Sequence, residues 1–182
     1  MFGRRLVRIN EATTPSDLDN RQMNELVDCW VEVTNAGGAA GFPFPPVSET
    51  EVLPVLRHLV DGLDPITQRL IIASSDDGIV GWVTVERDLN RLVAHWGVVV
   101  RHLQVRPSCR GVGTGEALMQ RCRDTARTEM GLEQLHLSAR SGQGLEEYYT
   151  RLGWTCVGSW PNALRLSSSD TRSEVLFQLA PL

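Results

Sequence analysis

Apolar residues recur along this chain with two different periods, and the switches between them mark out its elements. Met23, Leu26, Val27, Trp30, Val31 and Thr34 fall at helical spacing. Thr14-Pro15-Ser16-Asp17 supplies an N-cap, a first-turn proline and an early acid for that helix, and Asn35-Ala36-Gly37-Gly38 its stop. Val52, Val55, Leu56, Leu59 and Val60 line one face of a second helix, opened by a capping box at Ser48-Glu49-Thr50-Glu51 and closing near Gly62. Between the two, Phe42-Pro43-Phe44-Pro45-Pro46 forms a stiff aromatic loop. Before both, Arg4 to Ile9 is expected as an edge strand.

The pattern then changes to β-rich runs. Leu70 to Ala73 and Ile79 to Val85 flank the turn Ser74-Ser75-Asp76-Asp77-Gly78, which joins antiparallel neighbours, and a third long run extends from Val93 to Val105. Ala117, Leu118, Cys122, Ala126 and Met130 return to helical spacing between Gly113 and Met130, with Gly131 as terminator. A short strand at Leu135 to Ser138, a short helix at Glu146 to Leu152, a strand at Trp154 to Trp160 and an alternating last strand at Val175 to Leu179 complete the chain. Pro161 to Ser173 is polar and aperiodic and is expected as a loop. Strands meeting helices in this order predict a mixed α/β sheet.

Composition narrows the function. The 182 residues, 42% of them hydrophobic, suit one domain covering 1–182. A net charge of −4 with mixed signs gives no electrostatic reason for nucleic acid or an anionic membrane as partner, and no apolar stretch reaches spanning length, so a cytoplasmic location is expected. Cys29, Cys109, Cys122 and Cys156 have neither C-x-x-C pairing nor a histidine at ligand spacing, so they read as reduced thiols with no metal.

The chemistry is concentrated in Leu103-Gln104-Val105-Arg106-Pro107-Ser108-Cys109-Arg110-Gly111-Val112-Gly113-Thr114-Gly115-Glu116, a strand running through a glycine loop into a helix. Glycines admit a ligand close to the backbone, and unpaired N–H groups at a helix start suit a pyrophosphate. A P-loop needs Lys and then Ser or Thr after its last glycine, yet Glu116 follows Gly115; the dinucleotide fingerprint needs G-x-G-x-x-G, yet Gly111, Gly113 and Gly115 are spaced by two.

What fits is Q/R-x-x-G-x-G/A, and on Arg110 to Gly115 the chain resembles the GCN5-related N-acetyltransferase (GNAT) superfamily. Tyr148-Tyr149-Thr150-Arg151-Leu152-Gly153-Trp154 resembles that family's F-Y-x-x-x-G-F element at the expected distance. The resemblance covers residues 68 to 160. It implies an α/β GNAT fold: a mixed, mostly antiparallel sheet of six to seven strands, splayed between the fourth and fifth, with helices on both faces. It further implies an acetyl-CoA-dependent transferase in which an amine attacks the thioester and the coenzyme thiolate leaves. Arg110, Gly111, Val112, Gly113, Thr114 and Gly115 would hold the pyrophosphate, and Leu103, Gln104 and Val105 the pantetheine arm.

By the same resemblance Tyr149 matches the general acid and Tyr148 the packed aromatic, while Gly142 stands where many relatives carry Asn. His95, His102, Glu86 and Asp88 are candidates for the base, with His102 preferred for its near-neutral pKa; His58 and His136 read as structural. Gly38 and Phe42 lie where the family's first helices approach the acceptor, an arrangement loosely similar to the tabtoxin-resistance acetyltransferase. The acceptor expected is the amine of a small molecule, an antibiotic or metabolite. The alternatives are a protein lysine or N-terminal amine, or a non-catalytic acyl-CoA sensor. Many relatives form homodimers, and the apolar last strand offers a pairing edge.

Overall fold

The computed structural model describes residues 7–38, 41–42 and 44–182, with the backbone alone at 99–102. Its elements are β1 (Arg8–Ala12), α1 (Asn20–Asn35), α2 (Glu49–Asp61), β2 (Gln68–Ser75), β3 (Gly78–Arg87), β4 (Trp96–Val105), α3 (Thr114–Thr128), β5 (Gln134–Arg140), α4 (Leu145–Arg151), β6 (Thr155–Arg165) and β7 (Thr171–Leu179). The seven strands lie in the order β1-β2-β3-β4-β5-β7-β6. Among the described residues β4 and β5 are the one parallel pair. This is the mixed, mostly antiparallel α/β fold that the sequence led us to expect.

Strand β2 explains why its sequence reads as an unbroken apolar run. Leu70 and Ile72 face a core built by α1 and α2, while Ile71 and Ala73 face a second core under α3. A strand covered on both faces has no polar side to alternate with. On the α1 side Trp30 and Trp82, both fully buried, meet edge to face at 5.0 Å. Burial of each contributes on the order of 2–3 kcal/mol. On the other side Leu118, Cys122 and Ala126 present the buried stripe of α3.

Four details differ from expectation. Helix α1 starts later than Thr14: the Asp17 carboxylate folds back onto the Thr13 and Thr14 amides, each at 2.8 Å, so that Pro15–Asp17 closes only a 3-10 turn. The cap is Asp19, which accepts from Gln22 N at 2.7 Å while Gln22 Oε1 accepts from Asp19 N at 3.0 Å. The N-terminal strand is displaced to Arg8–Ala12, though it keeps the edge position; Arg4 to Leu6 lie outside the described residues.

The third difference concerns residues 161–173, which are a hairpin and not a loop. Strand β6 continues to Arg165 and pairs Leu164 with Arg172 and Arg165 with Thr171. Its side chains are almost all exposed, so the strand carries no alternation to be read. The last strand is also no pairing edge. It lies between β5 and β6, with Val175, Phe177 and Leu179 buried, and β6 is the true edge.

The site is opened by a failure of pairing. Strands β4 and β5 are in register only from Trp96–Gln134 to Val98–His136, after which they part. Strand β4 bulges there: Trp82 faces Gln104 and Thr84 faces Val100, so five residues of β4 oppose three of β3. Its far end is anchored by Arg106, which pairs with Glu32 of α1 and donates to the Ile79 carbonyl at 2.8 Å. The bulge and this anchor hold the second half of β4 away from β5.

Candidate functional site

After β4 the chain makes a 3-10 turn at Pro107–Cys109 and passes through Gly111 and Gly113 into α3. Both glycines have positive φ, +74° and +94°, and an added Cβ would meet nothing within 4 Å at either. Room is not the issue; the left-handed backbone is what excludes other residues. Gly113 is the N-cap residue, and no side chain caps α3. Its first N–H groups, with the positive end of the helix dipole, are left for an anion. Gly115 serves differently, because a Cβ there would lie 2.8 Å from the Tyr148 hydroxyl.

This loop forms one rim of a cavity of about 550 Å³ that fills the gap between β4 and β5. Leu103, Val105, Arg110, Gly111, Gly113 and Gly115 line it. Gln104, Val112 and Thr114 do not. Gln104 is fully buried, Thr114 is 3% exposed, and Val112 points to solvent at 68% exposure. The Arg110 side chain bends back so that its Nε donates to the Val105 carbonyl at 3.1 Å. A carbonyl has a second lone pair, so Val105 keeps acceptor capacity for a ligand amide.

Tyr148 and Tyr149 both line the cavity, from α4. Tyr149 is the more deeply buried, 7% exposed, with its ring against Trp154 at 6.1 Å and Phe177 at 5.5 Å. That burial, with Tyr148 beside it, pushes its pKa well above the ordinary phenol value. Tyr148, expected as the packed member, is half-buried, and its hydroxyl is enclosed with no hydrogen-bond partner among the described residues. Burial and then the Glu116 charge push its pKa up to about 12. Both phenols keep their protons at neutral pH.

The expected bases do not gather here. The side chain of His102 lies outside the described residues. His95 precedes β4, Glu86 pairs with Val98 at the start of β4, and Asp88 caps a turn by accepting from Asn90 N at 2.7 Å. All three sit at the end where β4 and β5 are still joined, about 20 Å of extended chain from Leu103. An antiparallel partner reverses direction, so the end of β3 lies beside the beginning of β4. His58 is exposed on α2, and His136 stacks on Trp96 at 4.2 Å.

On the α1 side the cavity reaches Val33 and Gly38. Gly38 must be glycine, since a Cβ would stand 2.5 Å from Val33 Cγ1 and 2.6 Å from the Val33 carbonyl. Phe42 is not on the lining: its ring packs edge-on against Trp30 at 5.1 Å, in the core of the α1 layer. Sequence reasoning missed Ser138, Gln143, Gly144, Glu116 and Arg151, which do line it. The polar, glycine-rich turn Ser141-Gly142-Gln143-Gly144 between a strand and a helix was the available signal. Among the described residues the Cys109 thiol has Ser108 Oγ at 3.7 Å and no basic partner, and all four cysteines are free thiols.

Residues 63–162, more than half of the chain, match the family model described as an acetyltransferase (GNAT) domain. The chain belongs to the GNAT acetyltransferase family. As a GNAT protein it is an acyltransferase whose co-substrate is acetyl-CoA. No curated protein sequence matches it. Solved structures match its fold. A GNAT-family acetyltransferase from Streptococcus pneumoniae superposes with a TM-score of 0.74 at 18% identity, covering 96% of this chain and 99% of the other. The yncA protein of Salmonella typhimurium, solved with its cofactor acetyl-CoA, gives 0.69 at 16% identity over 96% and 93%. The ribosomal-protein-S18-alanine N-acetyltransferase of Escherichia coli gives 0.70 at 14% identity over 97% and 94%.

The residues present fit that co-substrate. The uncapped start of α3 and the left-handed Gly111 and Gly113 suit a pyrophosphate, and the unpaired half of β4 suits an amide-bearing arm. Among the described residues no group of three or more His, Cys, Asp or Glu is arranged to hold a metal, and no helix is long and apolar enough to cross a membrane.

Proposed function

We propose that this GNAT enzyme transfers the acetyl group of acetyl-CoA directly to a primary amine of a small molecule. The observation that carries the reading is one continuous cavity with the uncapped α3 start and glycine loop on one side, Gly38 and Gln143 on the other, and Tyr148 and Tyr149 between them. Its volume, about 550 Å³, is of the size that holds a small ligand.

When bound, acetyl-CoA supplies the thioester carbonyl that the amine attacks and the thiolate that leaves. Gly111, Gly113 and Gly115 would hold its pyrophosphate through backbone amides, with Arg110 beside them. Leu103 and Val105 would orient the pantetheine arm along the open edge of β4. Tyr149 holds a proton in an apolar pocket and gives it to the departing sulfur. A phenol with a raised pKa is well kept in its acid form, and a positioned acid contributes about 10²–10⁴-fold. A thiol-release assay with acetyl-CoA and paired small amines and peptide amines tests the reading. Turnover of the small amines is expected; turnover confined to peptides would overturn the choice of acceptor.

A further inference from the structure

Arg140, the last residue of β5, is a buried cation without an ion-pair partner among the described residues. Among the described residues two arginines are less than a tenth exposed, Arg69 and Arg140. Arg69 has two carboxylates, Glu11 at 2.9 Å and Glu129 at 2.6 Å. Arg140, 8% exposed, forms no ion pair among the described residues. Its Nη2 donates to the Gly37 carbonyl and to Gln143 Oε1 at 2.9 Å, and its Nε is buried with no acceptor among the described residues. Glu174 stands opposite it in the β5–β7 register, yet that carboxylate accepts from Ser138 Oγ at 2.5 Å. Asp170 is engaged by Arg172, at 2.6 Å. Burial first, and then Arg172, push the Arg140 pKa down, with Asp170 opposing.

The position of this guanidinium says what it is for. Leu135, Leu137 and Ala139 belong to the core under α3, so the alternate residues Ser138 and Arg140 face the α1 side. Arg140 lies one layer behind the cavity lining: of its two hydrogen-bond partners Gln143 lines the cavity and Gly37 precedes Gly38, which does, as does its chain neighbour Ala139. An unpaired buried charge is expensive, and a fold that keeps one directly behind the wall of a binding cavity gains from it when an anion arrives against the lining residue Gln143. The planar fork of arginine matches a carboxylate in particular.

Building on the acetyl transfer proposed above, we infer that the acceptor is a small amine that also bears a carboxylate, of the amino-acid class, with Arg140 and Gln143 as the carboxylate-binding residues. Arg140 is thus a specificity-determining residue on the α1 side, and the coenzyme loop is untouched by it.

The test compares three sets of acceptors in a thiol-release assay: free α-amino acids, their primary amides, and the corresponding decarboxylated amines. Wild type is expected to use at least one amino acid with kcat/KM about tenfold or more above its amide and its decarboxylated form, since one good charged contact is worth about a factor of ten or more. Arg140→Gln should bring that ratio to about one, while acetyl-CoA affinity measured by calorimetry stays the same. Arg140→Lys, which retains the charge without the fork, should keep a reduced preference with a raised KM. It serves if the Gln variant does not fold. Equal or better use of the amides or decarboxylated amines by wild type, or an undiminished preference in Arg140→Gln, overturns the assignment. Absence of thiol release in all three sets defeats the transfer reading itself, and the assignment with it.

Discussion

The two sides of the opening between β4 and β5 are built by different means. The α3 side is made of backbone: two left-handed glycines and a helix start with no cap, contributed by a handful of consecutive residues. The α1 side is made of side chains and carbonyls brought from far apart, Gly37 and Gly38 after α1 with Arg140 and Gln143 before α4. Backbone geometry specifies an anion held by amides and tolerates little change in sequence. A side-chain constellation can be rewritten one residue at a time, which lets one fold keep its coenzyme and change its acceptor.

That contrast can be sharpened experimentally. The largest effect is expected between the two sides: Tyr149→Phe should lower kcat by about 10²-fold or more, as loss of a general acid does, with acetyl-CoA affinity measured by calorimetry unchanged. A variant that retained full kcat would remove Tyr149 from the reaction. Next is the α3 side. Gly115→Val drives a side chain into the Tyr148 hydroxyl, 2.8 Å from the Cβ position, and should weaken coenzyme binding by about tenfold through overpacking. Tyr148→Phe removes that hydroxyl, so the double variant should recover part of the loss; simple additivity of the two changes would show that the collision is not the cause.

Smaller effects follow. Glu116 places a carboxylate on the cavity rim beside the proposed pyrophosphate site. Glu116→Gln should tighten acetyl-CoA binding a few-fold at low salt and lose that gain at high salt, because exposed charges are screened. It should also cost about 0.3–1 kcal/mol of stability, since an acid in the first turn of α3 favours the helix dipole. The phenols bear on the pH profile. Both pKa values are raised, so the protonated forms persist through the alkaline range, and kcat should show no fall between pH 7 and 10 from loss of the acid. A descending limb centred below pH 9 would point to another acid.

The least effect is away from the cavity. Burial depresses the His136 pKa below its ordinary 6.5, so below that pH the unfolded chain binds more protons than the folded one. Stability is then lost as pH falls through 6.5. The Tm advantage of wild type over His136→Gln should shrink between pH 7.5 and 5.5, and a gap that is constant with pH would exclude this contribution.

How much of this was legible follows the same division. The glycine loop was readable because Gly111, Gly113 and Gly115 are adjacent and their spacing alone rejects the rival phosphate loops. Strand β2 and helix α3 were readable because burial writes a period into the sequence. The continuation of strand β6 over residues 161–165 was not, because an exposed edge strand has no buried face to impose one. The start of α1 was misread because Thr14 and Asp19 are both good caps, and only the folding back of Asp17 decides between them. His95 and Glu86 were misplaced as bases because proximity to a strand in sequence does not tell which end of it a residue occupies. Arg140 left no trace: its meaning lies in the missing carboxylate, which exists only once Glu174 has turned to Ser138.

The most direct measurement is a calorimetric titration of acetyl-CoA into the wild-type protein and into Gly113→Glu. The substitution puts a carboxylate at the N-cap of α3 and a side chain on a backbone at φ +94°. Stoichiometric binding to wild type that is lost in a variant with an unchanged circular dichroism spectrum is the expected result. Equal binding by both proteins would contradict the assignment of the pyrophosphate to this loop.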